Sequence, residues 1–209
     1  MALDTYTALQ TSILDWLGRP GDPLVQPAVP DFITLFEEEA RGRLRTQFND
    51  LTDVELPPIT PGNFALPDDC ESVRRVVYDG FQLEYMPAWG MAEVTIDGQL
   101  IGLPLWYTIE GVNLALGPMP DTNLSAIIDY WAGLPALGPT VPSNWLLSNY
   151  PSLYLFGSLA NAEGYIGNDE RVSGWIQQRE AGFERVRREA IAARLGGAPL
   201  VQRVDGPTP

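Results

Sequence analysis

The sequence predicts an α+β protein: a helical bundle built from N- and C-terminal helices, with a β-rich insertion between them. Two observations carry this expectation. Apolar residues recur at helical spacing near both ends of the 209-residue chain. Residues 50–142 instead alternate short β-branched and aromatic runs with proline and glycine turns. Charge marks the same boundaries. Of a formal net charge of −14, residues 50–149 carry thirteen acids against two arginines, while the C-terminal sixty residues carry seven of each. The expected parts are therefore 1–49 (helical), 50–142 (β-rich and acidic), 143–196 (helical) and 197–209 (an extended tail).

Tyr6, Leu9, Ile13, Trp16 and Leu17 define one face of a first helix, which Gly18 and Pro20 stop. Asp31, after Pro30, is the expected N-cap of a second helix, with Phe32, Leu35, Phe36, Ala40, Leu44 and Phe48 as its apolar stripe. The run Glu37-Glu38-Glu39, with Glu37 to Arg41 and Glu39 to Arg43 at i,i+4, reads as a solvated face. Gly42 interrupts that helix and marks either a close contact or a bend. Prolines 57, 58, 61 and 67 then exclude helix. Asp79-Gly80 joins Val73–Tyr78 to Phe81–Tyr85 as a hairpin, and Glu110-Gly111 joins Leu105–Ile109 to Val112–Leu116 as a second. A short helix fits 86–96, and Leu124 to Trp131 is a longer strand. Helix resumes at Ser143 as an N-cap, restarts at Pro151 with Leu153, Phe156, Gly157, Ala160 and Gly164 on one side, and ends at Gly167. A last helix from Asp169 to Leu195 turns Val172, Trp175, Ile176, Phe183, Val186 and Ala190 inward, with Glu184 and Arg188 paired outside.

Composition removes much chemistry. There is no histidine, and all thirteen basic residues are arginine. Histidine-based nucleophile pairs, imidazole metal sites, Schiff bases and phosphate-binding lysines are thereby excluded. Cys70 is the single cysteine, so no internal disulfide forms. It stands beside Glu71, with no basic residue nearer than Arg74, an arrangement that does not activate a thiol. Asp68-Asp69 with Glu71 is the densest acidic site outside the helices, yet lacks the spacing of a calcium loop and reads as a polar turn. Asn49-Asp50 with Asp53 is a weaker version of it. No cofactor, metal or membrane span is expected, and no catalytic residue is assigned. A segment as acidic as 50–149 repels a nucleic-acid backbone rather than gripping it.

Three helical blocks carry a resemblance. The start, Tyr6-x-x-Leu9-x-x-x-Ile13-x-x-Trp16-Leu17-x-Arg19, resembles the opening of the adaptor (head-to-tail connector) proteins of short-tailed bacteriophages. Pro30-Asp31-Phe32-Ile33-x-Leu35-x-Glu37, with Arg41, Arg43-Leu44 and Arg45, is similar to their second helix. Pro151-x-Leu153-Tyr154-Leu155-x-Gly157-x-Leu159-x-x-Ala162, then Tyr165, Gly167 and Trp175, is similar to their C-terminal helical pair. The resemblance implies a non-enzymatic virion protein of the neck, made in the host cytoplasm. It implies a ring beneath the portal protein, typically twelvefold, formed from subunits that are often monomeric beforehand. Such a ring bridges the portal to the tail tube or nozzle protein and continues a channel through which double-stranded DNA passes without specific binding. An extended C-terminal segment docks on the portal in related adaptors, which points to Leu200, Val201, Arg203 and Val204 as portal-binding residues.

Two other readings stay open. Trp89, Trp106 and Trp131 suit a carbohydrate-binding or tail-associated β module. Asp97 and Glu110, near hairpin turns among those aromatics, suit a carboxylate-based hydrolase, which needs two acids roughly 5–10 Å apart in a cleft.

Overall fold

The computed structural model describes residues 3–46, 48–94, 100–167 and 169–194. They divide into two compact units, one drawn from Met1–Gln47 with Ala136–Pro209, the other from Phe48–Pro135.

The first unit is helical. Thr5 caps α1 (Tyr6–Leu17) by accepting from the Ala8 N–H, and Gly18 closes it in the left-handed region at φ 67°. α2 (Val29–Arg43) starts two residues before the expected cap, because Pro30 occupies its first turn and Asp31 lies inside the helix. It ends at Arg43, so Leu44 is extended and Phe48 belongs to the other unit. Asn144, not Ser143, caps the short α4 (Trp145–Asn149), its Oδ1 accepting from Leu147 N at 2.9 Å. α5 (Pro151–Ile166) and α6 (Asp169–Arg194) follow, with Gly167 left-handed between them. Leu9, Ile13, Phe36, Leu153, Tyr154, Phe183 and Val186 make the buried centre. Glycine lets these helices approach closely: a Cβ on Gly157 would fall onto the Phe36 ring, and one on Gly182 would lie 2.9 Å from Leu153 Cδ1. Gly42 is different. Nothing lies within 4 Å of its missing Cβ, so it marks no close contact. Gly42→Ala is accordingly expected to stabilise the chain by about 0.5 kcal/mol, measured by urea denaturation.

The second unit is an eight-stranded sheet: β1 (Asp50–Leu56), β2 (Pro58–Thr60), β3 (Asn63–Ala65), β4 (Cys70–Tyr78), β5 (Phe81–Tyr85), β6 (Trp106–Glu110), β7 (Asn113–Gly117) and β8 (Ala126–Ala132). Their order is β1-β8-β4-β5-β6-β7-β3-β2, antiparallel throughout except for β5 beside β6. The outermost strands are consecutive in sequence, separated by Pro57 alone. The sheet therefore curls until its ends meet at Pro57-Pro58, where neither residue has an N–H to extend a ladder. Curling brings distant strands into one core: Phe64 of β3 meets Tyr78 of β4 edge-on, and both join Val76, Leu83, Leu114 and Ile128. The Asp79-Gly80 turn has both residues at positive φ, as a two-residue hairpin requires. A helix, α3 (Ala88–Val94), lies between β5 and β6.

The expected helical bundle bearing a β-rich insertion is thus corrected. The protein is a mixed α+β fold in which a curled eight-stranded sheet holds its own core, and among the described residues the six α-helices are not confined to the flanks, since α3 lies among the strands. Prolines exclude helix from 57–67, but they do not exclude a short strand at the end of a sheet, which is what β2 is.

Candidate functional site

The sheet unit holds the acidic surface. Its two arginines, Arg74 and Arg75, stand side by side on β4 and are both engaged within the unit. Arg74 meets Asp50 at 2.7 Å and lies 5.1 Å from the Trp131 ring centre. Arg75 donates from Nε to Asp129 at 2.6 Å and from Nη2 to Asp53 at 2.8 Å. Asp53 sits at a bulge in β1 with φ 53°, and its N–H donates to Asp129 Oδ1 at 2.9 Å. The Arg75 hydrogen bond above all holds the Asp129 carboxyl below the usual carboxylate range. Glu55, Asp79, Glu84, Glu93, Glu110 and Asp121 are left exposed around the unit.

A carboxyl with a depressed pKa stabilises the fold above its unfolded value of about 4, and that contribution is lost as pH falls through the folded value. Asp129→Ala removes the acceptor for Arg75 and for the bulge N–H. It is expected to cost about 2 kcal/mol at pH 7, with the gap to the native chain narrowing below pH 4. Denaturation followed from pH 7 to pH 2 checks both.

The other sequence-predicted residues resolve as follows. Asp69 Oδ1 accepts from the Tyr130 hydroxyl at 3.0 Å, and burial followed by that bond pushes the phenol up to about 12. Asp68 and Glu71 are exposed nearby, and no metal-holding group of histidine, cysteine or carboxylate residues occurs among the described residues. Burial, with Asp69 adding to it, pushes the Cys70 thiol up, away from a reactive thiolate. The three tryptophans do not form a platform: Trp131 is 7% exposed, Trp106 is half-buried and only Trp89 stands out, at 71%. Glu110 is exposed at the β6–β7 turn, and Asp97 lies outside the described residues.

In the helical unit, one residue of the supposed solvated triplet is core. Glu37 is 2% exposed, and its Oε1 accepts from the Tyr154 hydroxyl at 2.7 Å and from Leu137 N at 2.9 Å. Tyr154 in turn accepts from Asn144 Nδ2 at 2.8 Å. Burial raises the Glu37 carboxyl, the two hydrogen bonds opposing it. The signal was present, since Ile33, Phe36, Glu37, Ala40 and Leu44 are spaced as one helical face. Glu39 does lie outside, bridging Arg43 at 2.7 Å and Arg179 at 2.9 Å. Arg43 also grips Glu180 of α6 with both terminal nitrogens, holding that carboxyl down at about 2. Glu184 pairs with Arg187 at 2.8 Å rather than with Arg188. Trp16 and Leu35, expected on buried faces, are 48% and 54% exposed. Trp16 is held at the surface edge-on to Phe156 and Trp175.

The model of the SU10 adaptor protein family matches residues 4–203, nearly the whole chain and both of its units. The chain belongs to the SU10 adaptor protein family. No curated protein matches it. The family supplies a structural role as a phage adaptor, and with it the likeness carried by the three helical blocks is shown. In this adaptor those blocks are α1, α2 and the α5–α6 pair, which pack on one another in one unit. Among the described residues no helix is long and apolar enough to cross a membrane. Leu200, Val201, Arg203 and Val204 lie outside the described residues, although the matched span includes all but Val204.

Proposed function

We propose that this adaptor assembles as a twelvefold ring under the portal protein, joins it to the tail tube or nozzle protein, and continues the DNA channel at the virion neck. It is monomeric in the host cytoplasm until the portal templates it. The family match over residues 4–203 carries the reading. The charge distribution supports it: a sheet unit with thirteen acids, whose two arginines both face carboxylates of their own unit, offers DNA few phosphate contacts. DNA then slides past without being held.

Within that reading, residues 197–209 form the extended portal-docking tail, with Leu200, Val201 and Val204 as apolar anchors and Arg203 as the charged contact. Deleting 197–209 tests this part. Binding to purified portal, read by co-sedimentation, is expected to vanish while the far-ultraviolet circular dichroism stays as in the full chain. Undiminished binding by the truncated chain contradicts it.

A further inference from the structure

The sheet unit carries an exposed apolar patch at the rim of its core, where the Tyr85 ring leans edge-on against core Tyr107 at 5.6 Å. Tyr85 at the end of β5, Trp89 on α3, and Ile101, Leu103 and Leu105 in the segment before β6 are each more than half exposed. Single exposed apolar residues are ordinary, but five on neighbouring strips of backbone are not. The strips are fixed in place. Glu84 N donates to Leu105 O, Leu105 N to Gly117 O, Gly102 N to Met119 O, and Met119 N to Leu100 O, all between 2.8 and 3.0 Å. α3 is seated by Met91, whose sulfur occupies the space a Cβ on Gly117 would need.

The charge beside the patch is negative. Glu93, exposed and one turn from Trp89 on α3, is the charge placed there, whereas Glu84 points to the opposite face of β5 from Tyr85. The unit's two arginines are on β4, engaged with Asp50, Asp53 and Asp129. Two such faces brought together would oppose carboxylate to carboxylate, so the patch does not suit self-pairing across a two-fold axis. The complementary surface has an apolar centre and an arginine rim. The second half of α6 is such a surface: Ile191 is 58% exposed, with Arg187 and Arg188 at i−4 and i−3 on the same face. Arg187 is paired with Glu184, whereas Arg188 makes no ion pair among the described residues.

We infer that the Tyr85–Trp89–Leu105 patch of one copy receives the Arg188–Ile191 stripe of α6 from a neighbouring copy. Joining two different surfaces makes the contact head-to-tail, the kind that closes rings. It deepens the ring reading above and rests on it.

Photo-cross-linking of the full chain tests it, with Trp89 replaced by p-benzoylphenylalanine, first alone at rising concentration and then on purified portal. The expected product is a covalent dimer, with longer ladders on portal, whose cross-linked peptide contains residues 184–191. Glu93→Arg and Arg188→Glu are each expected to weaken the cross-link roughly tenfold, and the double variant to restore it. Rings that form while the probe cross-links elsewhere, or not at all, overturn this contact and leave the ring reading standing. Absence of both rings and cross-links on the portal overturns both. Equal loss in the double variant also overturns the contact, since it shows that the two charges do not meet.

Discussion

Gly157→Ala is expected to destabilise the helical unit by about 3 kcal/mol, at the upper end of overpacking, despite the ~1 kcal/mol that alanine gains over glycine in a helix. The added methyl would land on the Phe36 ring. That ring cannot step aside, because it is fully buried, edge-on to Tyr154 at 5.0 Å and beside Phe183 at 6.0 Å. α2 would have to move off α5. Circular dichroism at 222 nm during urea denaturation reads the loss. The cause is checked by Phe36→Leu, which shortens the obstructing side chain. The double variant should be more stable than the sum of the two single effects predicts, by more than about 1 kcal/mol. Strict additivity would show that the close approach is not what Gly157 provides.

Glu37→Leu is expected to cost a similar amount, about 3 kcal/mol, for an electrostatic reason. Leucine fits a buried helical position, yet it leaves the Tyr154 hydroxyl and the Leu137 N–H without their acceptor. Glu37→Gln keeps an acceptor oxygen and removes the buried charge, so it should cost less than about 1 kcal/mol at pH 7. Because the folded carboxyl is raised above its unfolded value, ionisation opposes folding at neutral pH. That opposition fades as pH falls through the raised value and is gone below about 4. The native chain should therefore gain on Glu37→Gln between pH 7 and pH 4. Denaturation midpoints of the two chains across that range give the sign directly.

Glu37 also shows where sequence and structure part. Elements whose signals are local were legible: α1 with its Gly18 stop, α5 between Pro151 and Gly167, the Asp79-Gly80 and Glu110-Gly111 hairpins, and the strand that carries Trp131. What was hidden depends on partners far along the chain. β8 pairs with β1 and β4, and β3 with β7, pairings that no local pattern specifies. The prolines at 57 and 58 were legible as helix breakers, but not as the corner where a curled sheet closes. Glu38, Glu39 and the i,i+4 arginines make Glu37 look like surface, whereas its burial is decided by Tyr154, 117 residues away. Trp16 shows the converse, an apolar position of the stripe turned to the surface among two other aromatic rings. Of the candidate site, the excess of acid over arginine in the middle of the chain was plain from counting. That both arginines are engaged by Asp50, Asp53 and Asp129 required the bulge in β1 and the pairing of β4 with β8.

The proposed ring, templated by a portal, leaves a visible trace. Electron microscopy of the purified full chain mixed with its purified portal, at saturating ratio, tests it most directly. An added ring of density is expected beneath the portal, coaxial with its channel and with twelve subunits. Portal particles whose end-on and side views are unchanged by excess chain would contradict it.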